Sequence, residues 1–467
     1  MSGRLTTIAL VSLLAGCTMA PDYRQPPMAT APVYPAEGQP ELGEVTATAL
    51  GWRQFFADPR LVKLVEVALD NNRDLRISVA RIEEARGQYR VQRADLLPTI
   101  EGQASAVRTH GGSVSSGGPV APVTADNYSA GGGITSFELD FWGRVRSLSN
   151  AARASYLATV QAGRAFRISL IADVAGTYLM LRETEERIAL ARATVDSRNR
   201  GLEIAKLRLD AGVTSALEYR QSETLLTQAQ TELATLRRMR AQARNLLDVL
   251  VGGPVNGPLP APLPLLDQGM GGHLGAGLPS DLLLNRPDIL EAEQQLRASN
   301  ANIGAARAAF FPKITLTGSG GYESTELKNG LAQDGMNWSL GPASLTVPIF
   351  DFGRNQGNLD VAKARQNIAV ATYEKTVQTA FREVADALAA RRYFADQVAA
   401  QERALVAQRN SAELAQLRYR NGVSNYLEVL DAERNLFDAE QSLVETRRNQ
   451  LDNLVTLYVA LGGGLTE

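Results

Sequence analysis

The sequence predicts a mainly α-helical fold with a small β part, built by internal duplication. Three observations carry that reading. A helix that closes on glycine and restarts at once occurs at Leu207-Arg208-Leu209-Asp210-Ala211-Gly212-Val213-Thr214-Ser215-Ala216-Leu217-Glu218, and again 210 residues later at Leu417-Arg418-Tyr419-Arg420-Asn421-Gly422-Val423-Ser424-Asn425-Tyr426-Leu427-Glu428. Positions 207–253 and 417–463 share 16 identities in 47 ungapped pairs. Each copy is also preceded by a stretch of alternating apolar and polar residues of strand type. Glycine suits the left-handed residue that ends a helix, and the Thr214 and Ser424 hydroxyls suit the next N-cap.

In chain order, Arg4, the apolar run Ile8 to Leu14 and Leu14-Ala15-Gly16-Cys17 read as a sorting signal over 1–16. The last four residues resemble a bacterial lipobox, which implies cleavage before Cys17 and a lipid, palmitate included, on that residue. Thr18 stands where Asp would favour inner-membrane retention, so the outer membrane is expected. Cys17 is the chain's one cysteine, which excludes an internal disulfide. No later run of roughly 18 apolar residues occurs, so a membrane location requires the lipid, a β-barrel or both.

Residues 17–58 read as a Pro- and Ala-rich linker. Repeat 1 spans 59–252 and repeat 2 spans 280–461. A helix is expected from Pro59 to about Leu96, with Leu61, Leu64, Val65, Ala68 and Leu69 on one face. Its counterpart runs from Pro279 to about Phe311. Asp74-Leu75 matches Asp288-Ile289, and Leu97-Pro98 matches Phe311-Pro312, both 214 residues apart. Each leads into a β-hairpin, at 99–141 and 313–350. Thr99 to Arg108 and Lys313 to Tyr322 alternate, 109–126 is a Gly-rich loop, and the returns run from Asn127 to Phe141 and from Asn337 to Ile349. Pro342 and Pro348 imply a bulge or an edge in the second return. Four strands cannot close a membrane barrel of about eight or more, so several copies must each contribute. Two copies with 8 strands and three with 12 both remain open.

Phe141-Trp142-Gly143-Arg144 and Asp351-Phe352-Gly353-Arg354 open the longest helices. The first, about Val145 to Leu209, lacks proline and would extend about 97 Å, three times a bilayer's hydrocarbon thickness. It is too charged for lipid and must project into water. Ile188, Val195, Leu202 and Leu209 recur every seventh residue as a coiled-coil seam. Return helices are expected over 216–251 and 425–461, closing long helical hairpins at 145–251 and 355–461. Residues 253–279, rich in Gly and Pro, read as a belt wrapping the helices partway down, and 462–467 is a short tail.

Net charge is −2 with mixed signs, so no nucleic-acid partner is implied. An enzyme fares poorly. The two histidines, His110 and His273, sit in Gly-rich loops, and no nucleophile triad, metal cluster or phosphate loop stands out. Gly131-Gly132-Gly133 reads as strand glycine in a bending wall, not a nucleotide cradle.

The lipobox, Trp52-Arg53-Gln54-Phe55-Phe56-Ala57-Asp58-Pro59, Leu284-Asn285-Arg286-Pro287-Asp288-Ile289, Ala305-Ala306-Arg307-Ala308-Ala309-Phe310-Phe311-Pro312 and Tyr426-Leu427-Glu428-Val429-Leu430-Asp431 together resemble the outer membrane factor family. The likeness is to OprM-type RND efflux lipoproteins, with TolC more distant, and covers nearly the whole mature chain. It implies a homotrimer with a shared 12-stranded β-barrel, a periplasmic α-barrel and an equatorial domain. It also implies an exit duct working with a periplasmic adaptor and an inner-membrane RND transporter. No cofactor is implied beyond the lipid on Cys17. A type I protein-secretion duct would share the fold. A purely structural coiled-coil lipoprotein is disfavoured by the strands.

The last helix presents a polar stripe spaced 3,4: Glu428, Asp431, Asn435, Asp438, Ser442, Glu445, Asn449, Asp452 and Thr456. The matching stripe of repeat 1, from Glu218 to Leu246, is far less acidic. The stripe either faces outer solvent or lines a lumen. By resemblance Glu428 and Asp431 match a periplasmic constriction and Leu427 an apolar ring. Carboxylates gathered on an axis repel one another and favour bound cations. Arg434 is placed to pair with Asp431 along the helix. Arg418 and Tyr419 are expected to tie the hairpin to its neighbour and hold the gate shut. The tips Gly212-Val213-Thr214 and Gly422-Val423-Ser424 are expected to dock the adaptor.

Overall fold

A computed structural model describes residues 18–28, 30–34, 45–113, 121–255, 257–270, 274–275, 277, 279–325, 336–341 and 343–466. The expected signal at 1–16, Cys17 and His273 lie outside them. The elements begin with β1 (Val45–Thr46), α1 (Trp52–Phe55), α2 (Pro59–Asn71), α3 (Arg73–Ala94), β2 (Ile100–Ser113), β3 (Ala121–Glu138), α4 (Arg144–Asp210) and α5 (Ala216–Leu250). They continue with β4 (Leu274–Gly275), α6 (Leu282–Asn285), α7 (Pro287–Ala308), β5 (Lys313–Ser324), β6 (Met336–Leu340), β7 (Ser344–Thr346), α8 (Arg354–Arg420) and α9 (Tyr426–Ala460). No helix among the described residues is long and apolar enough to cross a membrane. The chain divides into one unit of 1–26, 82–159 and 292–373 and another of 27–81, 160–291 and 374–467.

The first unit holds one antiparallel sheet, ordered β2-β3-β5-β6, with β7 also paired to β5. Residues directly opposite each other share a face. Through the pairs Ile100↔Ile134, Ala104↔Ala130 and Ala130↔Tyr322, and on to Gly320↔Trp338 and Gly318↔Leu340, one face is apolar. The other is polar: Ser105 meets Ser129 at 2.8 Å and Ser319 meets Ser339 at 3.0 Å between hydroxyl oxygens. Gly131, Gly133 and Gly321 fall on this polar face, where β3 and β5 crowd together. A Cβ at Gly133 would stand 2.4 Å from the Gly318 carbonyl oxygen. The strands run further into the loop expected at 109–126 than alternation suggested. The second return, expected as one strand from Asn337 to Ile349, is two strands, β6 and β7, with Gly341 at φ 106° directly after β6; Pro342 lies outside the described residues.

In the second unit, the two helices expected as single rods are each divided. Asn72 (φ −57°, ψ 131°) separates α2 from α3: its Oδ1 caps the Leu75 N–H at 2.8 Å and its Nδ2 donates to the Leu250 carbonyl at 2.8 Å. Arg286 (φ −83°, ψ 119°) separates α6 from α7, because Pro287 pushes the residue before it out of helical geometry. Its Nη1 donates to the Ala460 carbonyl at 3.0 Å. Each break therefore caps the end of a return helix that itself closes on a glycine at φ 82°, Gly252 or Gly462.

The Trp52–Pro59 stretch is a clasp. Phe55 stacks on Tyr458 with centroids 4.1 Å apart, and the Tyr458 hydroxyl donates to the Leu50 carbonyl at 2.7 Å. Asp58, fully buried, caps α2 through the Arg60 N–H (2.8 Å) and also accepts from the Tyr178 hydroxyl (2.6 Å), Gln268 Nε2 (2.9 Å) and the Leu263 N–H (3.2 Å). Arg182 donates to the Leu263 carbonyl, and the Leu265 N–H donates to Glu186, so the Gly- and Pro-rich segment is stapled to the middle of α4. β4 pairs in parallel with β1. Ile188, Ala191, Leu233, Leu236 and Phe437 form an apolar cluster with Val195 packed against it, whereas Leu202 and Leu209 further along the seam are half-buried.

Candidate functional site

Both hairpin turns close as Schellman motifs. The Val213 N–H donates to the Arg208 carbonyl and the Gly212 N–H to that of Leu209, each at 2.9 Å; Val423 and Gly422 repeat this with Arg418 and Tyr419 at 2.9 and 3.0 Å. Gly212 and Gly422 take φ 72° and 70°, so glycine is required there. The next N-caps come one residue later than the hydroxyls suggested. Ser215 accepts from the Glu218 N–H, and Asn425 from the Glu428 N–H. Thr214 instead donates to the Glu218 carboxylate. Ser424 Oγ is buried without a partner. Outside these turns, Leu207, Val213 and Leu217 on one tip and Leu417, Val423 and Leu427 on the other are exposed at matching positions.

Beneath the turns the hairpins are joined by aromatic and ionic contacts. Tyr419 packs on Tyr426 at 5.0 Å, and Arg208 reaches across from the first hairpin, hydrogen-bonded to the Tyr419 hydroxyl with its guanidinium 5.1 Å from that ring. Tyr426 packs on Gly201, where a Cβ would lie 3.0 Å from its hydroxyl, and burial raises its pKa. Arg418 pairs with Glu428 at 2.9 Å inside the second hairpin, and Arg434 pairs with Asp431 at 2.7 Å. Within the chain Tyr419 ties the two hairpins together, and Arg418 pairs inside its own hairpin. Arg208 and Tyr426 stand in the motifs read from the sequence, but their contacts with Tyr419 and Gly201 do not follow from it. The signal for Arg208 was its position, matching Arg418 in the second copy of the turn sequence.

Removing the tie has a measurable consequence. Arg208→Ala is expected to weaken the tip by about 1 kcal/mol, the usual worth of an exposed cation–π contact and hydrogen bond. Amide exchange over 205–215 and 415–425 should then quicken about fivefold, and Tyr419→Phe should have a smaller effect.

Further along the same helices runs a ladder of partly buried charge centred on Glu183. Glu183, 4 % exposed, accepts from Arg187 (2.9 Å) and Arg448 (3.1 Å); Arg187 also reaches Glu232 (3.1 Å) and Gln441 (2.7 Å), and Arg448 pairs with Asp452. Burial raises the Asp452 pKa against the opposing pull of Arg448. Arg198 is buried, donates to the Leu225 carbonyl at 2.7 Å, and lies 5.4 Å from the Phe437 ring. Of the acidic stripe, Glu428, Asn435, Asp438, Ser442, Glu445 and Thr456 are exposed on the isolated chain, and Asp431, Asn449 and Asp452 are half-exposed. No group of three or more metal-ligating side chains occurs among the described residues.

Residues 64–253 and 278–463 match the family described as outer membrane efflux protein. The chain is 45% identical over 457 residues to the solvent efflux pump outer membrane protein SrpC of Pseudomonas putida, covering 97% of this chain and 96% of the relative. It is 42% identical to the outer membrane protein OprJ of Pseudomonas aeruginosa, covering 99% and 96%. The open state of the Neisseria gonorrhoeae MtrE outer membrane channel superposes with a TM-score of 0.87 at 41% identity, covering 96% of this chain and 99% of that one. With its long helical hairpins and two-faced sheet, the chain belongs to the outer membrane efflux protein family, whose members are outer-membrane transport channels and not enzymes.

Proposed function

We propose that this protein is the outer-membrane exit duct of a tripartite efflux pump: a passive homotrimeric channel gated at its periplasmic tip. The observation that carries it is the sheet, apolar on one face and hydroxyl-lined on the other, with β2 at one edge and β6 and β7 at the other. Such a sheet suits a wall between lipid and water, and its free edges suit closure by further copies. Three copies give 12 strands. The duplicated hairpins, each helix of α4 and α8 about 100 Å long, then form a periplasmic α-barrel. Cys17 carries the lipid that anchors the chain to the outer membrane.

The gate is Leu427, Glu428, Asp431 and Arg434 with Arg418 and Tyr419. Copies of Glu428–Arg418 and Asp431–Arg434 around the axis make a ring of ion pairs, and Leu427 adds an apolar constriction. Gly212-Val213-Thr214 and Gly422-Val423-Ser424, flanked by exposed leucines, dock the periplasmic adaptor, which links the duct to an inner-membrane RND transporter. An adaptor opens the channel only by binding the splayed tips more tightly than the closed ones.

A deletion strain tests the function: susceptibility to solvents and antibiotics is expected to rise and return with the gene in trans. Unchanged susceptibility together with a lost secreted protein would overturn the efflux reading. In reconstituted bilayers, Glu428→Ala with Asp431→Ala should change both conductance and cation preference. If neither moves, the ring lies elsewhere.

A further inference from the structure

The sheet contains one joint that is made inside the chain and a second that is left open. Where the first hairpin meets the second, Trp142 stacks on Phe311 with centroids 4.7 Å apart and donates Nε1–H to the Pro312 carbonyl at 2.9 Å. Beside it the Leu139 N–H donates to the Ile314 carbonyl at 2.8 Å. The return arms of the two hairpins lie 210 residues apart and the first arms 214 apart; these offsets turn Trp142 into Phe352 and Leu139 into Ile349, and turn Phe311-Pro312 into Leu97-Pro98 and Ile314 into Ile100. All the apolar members of this second set are bare: Leu97 is 71% exposed, Ile100 77%, Ile349 79% and Phe352 102%. Phe352 is also the one described non-glycine residue at positive φ, 54°, with Asp351 accepting from the Gly353 and Asn355 N–H groups behind it. A fully exposed aromatic in a disfavoured backbone conformation needs a partner to explain it.

The same two offsets relate pairs that are formed within the sheet. Ala104↔Ala130 maps onto Gly318↔Leu340, and the Ser105–Ser129 hydroxyl contact maps onto Ser319–Ser339. The β3–β5 register, including Ser129↔Glu323, then maps onto Ser339↔Thr109, two residues on the free edges.

We infer that Phe352 of one copy seats against Leu97-Pro98 of the next, a socket equivalent to that of Trp142 on Phe311-Pro312, with the Ile349 N–H facing the neighbouring copy's Ile100 carbonyl. The partner is a second copy of this chain, and the inference rests on the proposed ring of copies. Phenylalanine lacks the indole N–H, so the joint between copies is apolar where the internal one adds a hydrogen bond. Ala343 replaces Gly133 at the corresponding seam position, so the close strand approach is not repeated there.

Paired cysteines in the outer-membrane protein test it. Phe352→Cys with Leu97→Cys is expected to give covalent oligomers under mild oxidation, and neither single variant should do so. Co-expressing the two single variants under different tags should give a mixed covalent dimer, which a bridge within one chain cannot. Ser339→Cys with Thr109→Cys reports the strand seam separately. If the seam pair cross-links and the 352–97 pair does not, the socket is wrong and the ring stands. If neither cross-links, both fall. Independently, Phe352→Glu should lower the temperature at which the SDS-resistant oligomer dissociates, and Phe352→Leu should not; equal behaviour of the two would count against the socket.

Discussion

Gly133→Val is expected to abolish assembly in the outer membrane, leaving little heat-modifiable oligomer in membrane fractions. The new Cβ would meet the Gly318 carbonyl oxygen at 2.4 Å and the Ser319 Cα at 2.9 Å. Both are backbone atoms of the paired strand, so no side-chain rotation relieves the clash. The strands must part, and with them the ladder from Tyr128↔Ser324 to Ile134↔Gly318 that joins the two hairpins. Overpacking of this kind costs about 3 kcal/mol or more where the backbone itself must shift. Gly102→Ala is the control: its Cβ would lie 4.0 Å from the nearest atom, the Gly131 carbonyl oxygen, and assembly should be normal. Normal assembly of both variants would mean that β3 and β5 are not in close contact.

Asp58→Ala is expected to destabilise the helical unit by about 3–5 kcal/mol, read as a lower Tm of the purified protein. The carboxylate is fully buried and gathers the start of α2, Tyr178 of α4, and Leu263 and Gln268 of the Gly- and Pro-rich segment through four hydrogen bonds. Its loss strands those donors in the interior, which is worse than never having had them. Burial works against the charge of Asp58. The hydrogen bonds from Tyr178, Gln268 and the Arg60 and Leu263 N–H groups outweigh it and hold the pKa below the ordinary carboxylate value. A depressed folded-state pKa adds stability above the unfolded value of about 4, and that stability disappears as pH falls through the folded-state value. Wild type should therefore lose stability as pH falls below about 5 more steeply than Asp58→Asn, which starts lower and has no carboxylate at that position to titrate. Parallel pH profiles would remove Asp58 from this role.

Much of the fold was legible because its signals are local. Glycines at 212 and 422 mark turns that only a left-handed residue completes, and the long proline-free stretches become α4 and α8 to within a residue or so. The breaks at Asn72 and Arg286 were harder. Pro287 is a local signal for the second that the single helix expected from Pro279 overlooked, whereas Asn72 leaves the helix because its side chain bridges the Leu75 N–H and the distant Leu250 carbonyl. The caps at Ser215 and Asn425 were misplaced by one residue because a hydroxyl beside a turn has several acceptors to choose from. Thr214 chose Glu218.

The same division holds at the tips. Local spacing was enough to pair Asp431 with Arg434, since residues three apart on a helix are neighbours whatever surrounds them. That Tyr419 would be held by Arg208, 211 positions earlier, depended on how two helical hairpins lie side by side. By itself the sequence determined the elements, their repetition and the faces they present, because helix and strand periods and turn chemistry act over a few residues. Only the tertiary structure decided which charges pair across helices and which strand edges and aromatics are left bare. Those outcomes depend on packing between segments far apart in the chain, which no local period records.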